Sequence, residues 1–386
     1  MKLNLIIAGA LAVAMTVPSS AAPRKKQQEP EKVNPYQLTE QFRIPVTSVK
    51  DQNATGTCWC FATTSFIEAE LLRMGKGEYD LSELYTVRQN YYERMNDNYL
   101  RRGKGNISEG SIGHMTFNII DKYGIVPQSA YSGINYDSPL PNHRELRTYL
   151  KAIADASVSL KARSDEYWEL QDALFDIYMG EVPETFVYEG KEYTPESFRD
   201  MLGLNTDDYI EITSFSHHPF YQQVPLEVPD NWDHALLYNL PLDEMMAVID
   251  NALETGYTVS WDGDVSEKGY VYSPLGIAIL PADASLERKA ISATDTLIAE
   301  VEKVDQELRQ QGYESFTTTD DHLEHLIGIA NDPAGTKYYI TKNSWGAEGP
   351  YEGYHYMSEK YVRAKTISII VHKDAIPADI KAKLGL

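Results

Sequence analysis

The sequence has 386 residues, 42% of them hydrophobic, so the chain is long enough to bury a large core. Its formal net charge of −22 repels phosphate backbones, which argues against nucleic acid as a partner. The two cysteines, Cys58 and Cys60, are too close in sequence for an ordinary disulfide, so both thiols are expected to be free.

Residues 1–21 have the pattern of a secretory signal peptide. Lys2 precedes an apolar run over residues 5–17, and small residues follow, with cleavage expected after Ala21. A membrane anchor is the alternative, but the run is shorter than the ~20 residues that span a bilayer. We therefore expect a secreted or periplasmic protein with no membrane contact after cleavage. Residues 22–44, charged and interrupted by proline, are predicted to form a flexible lead-in.

Helical patterns dominate the first half of the chain. Apolar residues recur at helical spacing from Cys58 to Met74, and a second helix is predicted to begin near Asp80 with Glu83 three residues later, as in a capping box. Further helices are predicted over residues 144–160, over residues 165–179 and after Thr194.

Strand patterns dominate the last quarter. The runs HLIGIA and KYYITKNSW flank the turn sequence NDPAGT and predict a β-hairpin, and residues 366–373 predict another strand. Helices followed by strands indicate an α+β fold with two lobes.

Cys58 is the candidate nucleophile. It lies where the Gly56–Thr57 turn leads into the first helix, and a helix N-terminus favours a thiolate. Cys60 points about 200° away around the helix axis, so it is interpreted as a small core residue. A redox pair normally has two residues between its cysteines, and a zinc site would need two further ligands.

A thiolate nucleophile needs a histidine as its base. His322 and His325 follow two aspartates and suggest a metal site, but in an extended strand they would face opposite sides. His217 and His218 are adjacent in sequence, so their side chains are expected to diverge. We therefore predict no metal site and no cofactor.

The predicted hairpin brings candidate residues together. If Ala330 pairs with Lys337, then Asn343 and Trp345 share a face with His322, and Asn343 reaches the His322 ring. A change of register by one residue would reverse this arrangement.

Three motifs together resemble the papain-like cysteine peptidases. Gln52 precedes Cys58 by six positions with Trp59 next, an acidic residue precedes His322 with a glycine six positions later, and KNSWG spans residues 342–346. The resemblance implies that Cys58 attacks and His322 is the base. It also implies that Asn343 orients His322, that Gln52 and the Cys58 N–H form the oxyanion hole, and that Trp345 shields the site from water.

The resemblance extends to the bleomycin hydrolase and aminopeptidase C branch. Cys58 and His322 are 264 positions apart, against roughly 130–150 in typical papain-like enzymes. Matches cover residues 45–135 and 240–386. They imply a papain-like domain over residues 45–386, with a helical lobe, a β-barrel-like lobe and an inserted helical subdomain at about 136–240.

The same branch suggests a function. Its members are mostly aminopeptidases that act on peptides as hexamers and use a glycine-rich wall, here Glu109, Gly110 and Ser111, to bind substrate backbone. In that branch a C-terminal arm usually holds the substrate amine, and this sequence shows no such arm. The restriction to N-terminal residues is therefore expected to come from the insertion or another loop. An endopeptidase and a noncatalytic binding protein are the alternatives.

Overall fold

The computed structural model describes residues 34–386. The predicted signal peptide and the first part of the predicted lead-in lie outside these residues. From Asn34 to Leu386 the chain forms one compact unit. No helix in this described part is long and apolar enough to cross a membrane.

The four longest helices of the described residues lie in the first half of the chain. The helices are α1 (Cys58–Arg73), α2 (Glu83–Leu100), α3 (His114–Tyr123), α4 (Arg144–Leu160), α5 (Asp165–Met179), α6 (Pro195–Leu202), α7 (Leu242–Glu254), α8 (Arg288–Ser292), α9 (Gln306–Glu314), α10 (Glu359–Lys365) and α11 (Ala378–Leu384).

The strands are concentrated in the second half. They are β1 (Thr39–Arg43), β2 (Phe186–Tyr188), β3 (Lys191–Tyr193), β4 (Tyr209–Thr213), β5 (Gln222–Pro225), β6 (Leu236–Asn239), β7 (Val259–Gly263), β8 (Tyr270–Val271), β9 (Ile277–Ala278), β10 (His322–Asn331), β11 (Lys337–Lys342), β12 (Tyr354–Ser358) and β13 (Thr366–His372).

Eleven of these strands form one mixed sheet in the order β5-β6-β4-β13-β7-β10-β11-β12-β9-β8, with β1 added beside β10. The helices and this sheet confirm the α+β prediction. The sheet is open, with β5 and β8 at its ends, so the expected barrel-like lobe is not a closed barrel.

Helix α1 is the central element of the helical lobe. Its residues from Cys58 to Leu71 are all buried, because it packs against α2 and α3 on one side and against the sheet on the other. Small and hydroxylated side chains allow this close approach, as where Thr63 Oγ1 lies 3.4 Å from Ser260 Oγ on β7. A helix covered on all sides holds its N-terminal residue in a fixed position.

Local sequence signals explain where the helices begin. α4 and α5 have the predicted bounds, and Thr194 caps α6 in a capping box with Ser197. α2 begins later than predicted, because Ser82 rather than Asp80 accepts a hydrogen bond from a first-turn N–H.

The predicted insertion at 136–240 differs from expectation in its last part. Helices α4, α5 and α6 lie within it, but β4, β5 and β6 follow, and β4 pairs with β13 of the main sheet. The last part of the insertion therefore extends the main sheet and does not belong to a helical subdomain. The lead-in also ends earlier than residue 44, because β1 pairs with β10 within it.

Candidate active site

Cys58 is the first residue of α1, with Thr57 as its N-cap. As the first helical residue, its N–H has no acceptor within the helix and remains available to a ligand. No acidic side chain lies in the first turn to oppose a negative charge there. Cys60 lies inside the helical core, where its sulfur is 3.3 Å from the Glu83 carbonyl oxygen. The two thiols therefore have different surroundings, as predicted.

The charge state of Cys58 depends on its neighbours. Burial raises the pKa of the Cys58 thiol to about 12, and the carboxylates of Asp320, Asp262 and Asp230 act in the same direction. The backbone N–H of Leu323 is directed at the sulfur and acts in the opposite direction. Leu323 follows His322 directly, so the structure brings the thiol to the backbone that carries the predicted base.

His322 and Asn343 meet as the sequence predicts. His322 Nε2 lies 2.9 Å from Asn343 Oδ1, and both residues are buried. The Trp345 ring stacks on His322 with centroids 4.8 Å apart, which covers this hydrogen bond. Burial lowers the pKa of His322, while Glu324 and Asn343 oppose that change. Burial thus opposes a charge on the Cys58 thiol alone and on the His322 ring alone.

The hairpin reaches this geometry by a register other than the predicted one. Ala330 pairs with Tyr338 rather than Lys337, but the register shifts between Leu326 and Gly328. After the shift, His325 pairs with Lys342. The predicted pairing of Ala330 with Lys337 gives this same pair, so this end of the hairpin has the predicted register.

Gln52 is held beside the asparagine motif. Its N–H donates to the Ser344 carbonyl at 2.9 Å, and Asp51 forms a bridge with Trp345. The Ser344 hydroxyl donates to Gln52 Oε1 at 2.6 Å, and Gln52 Nε2 donates one hydrogen to the Thr55 carbonyl at 2.9 Å. Among residues 34–386, the second hydrogen on Gln52 Nε2 has no acceptor, which suits the predicted role in an oxyanion hole.

The predicted substrate wall is covered in this structure. Glu109 turns its carboxylate inward, toward the Gly56 N–H and Arg147, both at 3.3 Å. Ser111 Oγ accepts a hydrogen bond of 3.2 Å from Trp232 Nε1. The side chains of Glu109 and Ser111 thus form contacts within the protein. The backbone of Gly110 lies against Asp230 in another loop.

Sequence reasoning did not assign a role to Glu324. It is fully buried, and its Oε1 lies 3.7 Å from His322 Nε2. Asn343 Nδ2 donates to the Tyr270 hydroxyl at 3.1 Å, and that hydroxyl donates to Glu324 Oε1 at 2.7 Å. His355 Nε2 lies 3.3 Å from Glu324 Oε2 on the other side. A hydrogen-bonded chain therefore links a buried carboxylate to the predicted base through Asn343.

Glu324 is held in its charged form. Burial acts to raise its pKa, but His355, His322 and the Tyr270 hydroxyl outweigh burial, so the pKa of Glu324 is lowered. A carboxylate this close to His322 stabilises an imidazolium ring. The sequence carried one signal for this role, an acidic residue between the two histidines of the predicted strand β10.

His217 and His218 do not diverge as expected, because both Nε2 atoms face Glu227, at 3.1 and 2.8 Å. Their ligand atoms are close enough to hold a metal ion. However, Gln310 Nε2 donates to His217 Nδ1, and Gln310 Oε1 is fixed by the Ser216 N–H. The neutral His217 ring then carries its proton on Nε2, which opposes metal binding there.

His322 and His325 face opposite sides of β10, as predicted. His325 Nδ1 lies 2.9 Å from Ser65 Oγ of α1, whereas His322 turns to Asn343. They share no metal ion in this arrangement.

A cysteine at the N-terminus of a buried helix, a histidine held by an asparagine on the adjoining sheet, and a glutamine beside them define a papain-like cysteine peptidase. Two family comparisons agree: the Papain family cysteine protease description matches residues 30–174, and the Peptidase C1-like family description matches residues 104–385. The chain belongs to the Peptidase C1-like family.

Relatives of similar length carry related names. Aminopeptidase C of Lactobacillus helveticus is 24% identical over 388 residues, covering 88% of this chain and 83% of the relative. Aminopeptidase G of Lactobacillus delbrueckii subsp. lactis is 23% identical over 391 residues, covering 89% and 85%. The crystal structure of PepW from Lactobacillus rhamnosis covers 90% of this chain and 84% of its own, with a TM-score of 0.68 and 20% identity, and shows the same fold.

Glu324→Gln is expected to move the alkaline limb of the kcat/KM profile to lower pH by about one unit. Removing the negative charge 3.7 Å from His322 Nε2 makes the imidazolium ring easier to deprotonate. The measurement is kcat/KM against pH.

Tyr270→Phe is the matched control, because it keeps the Glu324 charge and removes only the hydroxyl that joins Glu324 to Asn343. It should shift the limb less than Glu324→Gln. A Glu324→Gln profile that overlays the wild-type profile, with only thermal stability reduced, would show that Glu324 does not set the pKa of His322.

Proposed function

We propose that this cysteine peptidase is an aminopeptidase that removes N-terminal residues from peptides, in the manner of the bleomycin hydrolase branch. The proposal is supported by the hydrogen bond between His322 and Asn343 and by the Leu323 N–H directed at Cys58. It is also supported by relatives named aminopeptidases that match over 83–85% of their own length. The acidic surroundings of Cys58 support it, because a free peptide N-terminus carries a positive charge.

In the proposed mechanism, Cys58 transfers its proton to His322 and attacks the carbonyl carbon of the scissile bond. The Gln52 amide and the Cys58 N–H stabilise the oxyanion. His322 then gives its proton to the leaving amine, and an acyl-enzyme remains on Cys58. A water molecule, deprotonated by His322, attacks the acyl carbon, and the carbonyl reforms as the thiolate leaves. Asn343 keeps the imidazole in place throughout.

The preference for substrates with a free N-terminus tests this proposal. Aminoacyl coumarylamides with a free α-amine should be cleaved about 100-fold more efficiently than their N-acetylated forms, since acetylation removes a charge-assisted contact. Cys58→Ala should lose both activities. Cys60→Ala is the matched control and should keep both, because Cys60 lies in the core of the helical lobe. Equal rates on free and acetylated substrates would favour the endopeptidase alternative.

We also propose that the protein is exported and loses residues 1–21. The support is the sequence pattern of a short apolar run followed by small residues. Expression of the full chain in a secreting host should give a mature protein that begins at Ala22, as read by N-terminal sequencing. Recovery of the uncleaved chain from the membrane fraction would contradict this and would favour the anchor.

A hexamer is proposed from the resemblance to the bleomycin hydrolase branch alone. Light scattering of the purified mature protein should then give six times the subunit mass. A monomer mass across the tested concentrations would contradict the proposal, and it would leave the proposed chemistry unaffected.

A further inference from the structure

One short segment of the predicted insertion, residues 229–233, packs on the loop of residues 106–111 that carries the predicted substrate wall. Asn106 Nδ2 donates to the Pro229 carbonyl at 2.7 Å, and Trp232 Nε1 donates to Ser111 Oγ at 3.2 Å. The Arg94 guanidinium lies 5.3 Å from the centre of the Trp232 ring. The two segments are therefore held together by buried polar and aromatic contacts.

The segment is also rigid within itself. Asn231 is buried, and its side chain accepts a hydrogen bond from the Ala235 N–H at 3.0 Å and donates to the Leu226 carbonyl at 3.0 Å. Asp233 lies 3.0 Å from His114 Nε2 on α3. A loop fixed at both ends presents the intervening side chain, Asp230, in a defined position.

Asp230 directs its carboxylate at Gly110. A Cβ added to Gly110 would lie 2.0 Å from Asp230 Oδ2 and 3.1 Å from Oδ1, so only glycine fits beneath this carboxylate. Gly110 is the residue whose backbone the substrate is expected to follow. A peptide bound at this predicted wall with its N-terminus toward Asp230 would place its α-amine near that carboxylate.

The carboxylate accepts a hydrogen bond of 3.4 Å from Asn106 Nδ2, and burial raises its pKa, while the nearby Arg94 charge acts to lower it. Among residues 34–386, Asp230 forms no ion pair within 4.0 Å. The Nη1 and Nη2 groups of Arg94 donate to the carbonyl groups of Asn106, Ser108 and Gly110, and its Nε has no hydrogen-bond partner among the described residues. Asp230 is partly exposed and its charge reaches Cys58, since it contributes to raising the pKa of the thiol. A negative group near the nucleophile is thus left to pair with a ligand.

We propose that Asp230 binds the α-ammonium group of the substrate and that the 229–233 segment ends the nonprime side of the cleft. This assignment rests on the proposed aminopeptidase function and names the group that restricts cleavage to the N-terminal end of a peptide. The ligand class is a peptide with a free, protonated N-terminus. The final helix, α11, packs elsewhere, against α7 through Lys383 and Glu244, so it does not supply this carboxylate.

The experiment compares kcat/KM for free and N-acetylated aminoacyl coumarylamides in variants of the mature protein. Asp230→Asn keeps the shape and removes the charge, so it should lower kcat/KM for the free substrate by about 10- to 100-fold and should not lower kcat/KM for the acetylated substrate. Asp230→Ala also removes bulk, so it should in addition raise cleavage of the acetylated substrate. The ratio of the two values is the readout, because a folding defect would reduce both alike.

Two further variants complete the test. Asp295→Asn removes an exposed carboxylate at an unrelated surface position and should leave the ratio unchanged. Asp320→Asn removes a second carboxylate near Cys58 and should change the ratio much less than Asp230→Asn.

The outcomes separate the two proposals. If the wild-type enzyme does not prefer free amines, the aminopeptidase function itself fails. If the wild type prefers free amines and both Asp230 variants keep the full preference, the assignment of Asp230 is wrong. Loss of the preference in Asp320→Asn alone would also overturn it, by placing the ammonium at Asp320.

Discussion

The hydrogen bond between His322 and Asn343 depends on how β10 and β11 pair, and the rest of the site is arranged around it. His322 begins β10 and Asn343 directly follows β11, and a shift of one position in the pairing would turn one of them to the other face of the sheet. The register shift between Leu326 and Gly328 sets the pairing that the site requires. The close approach of β1 at Gly328, where a Cβ would lie 2.3 Å from the Phe42 carbonyl oxygen, occurs at the same place. Strand β1 therefore packs against the part of β10 that fixes the catalytic register.

The sequence predicted the helix that begins at Cys58 and the contact of His322 with Asn343 because these residues lie in short motifs with local structural signals. The turn before Cys58 and the helical spacing after it defined α1, and the hairpin defined β10 and β11. Asn343 and Trp345 were placed beside His322 although the turn pairing was wrong by one residue, since the register shift compensates for the difference. Such a shift has no reliable signal in a single sequence, because it depends on the packing of β1 on Gly328.

Contacts distant in sequence could not be predicted in the same way. Short strands such as β4, β5 and β6 have weak patterns, and their place in the sheet depends on pairing with β13. Glu324 was visible as one acidic residue in an apolar strand, but its partners Tyr270 and His355 come from β8 and β12. Buried charges are tolerated only where such partners are present. The sequence contains all of these residues, but their contact depends on the order of the strands in the sheet.

The negative charges around the nucleophile have a further consequence for the proposed amine site. Burial raises the pKa of Asp320 to about 8 and that of Asp262 well above its usual range, so at neutral pH this neighbouring pair retains a proton and carries less than its full charge. Asp230, whose own pKa burial also raises, adds to the negative charge that opposes a thiolate at Cys58 when it is ionised. An α-ammonium group paired with Asp230 would neutralise that charge and so lower the pKa of the thiol. Because the same contact would then position the peptide and ease formation of the thiolate, the enzyme would be most reactive when a free N-terminus is already in place.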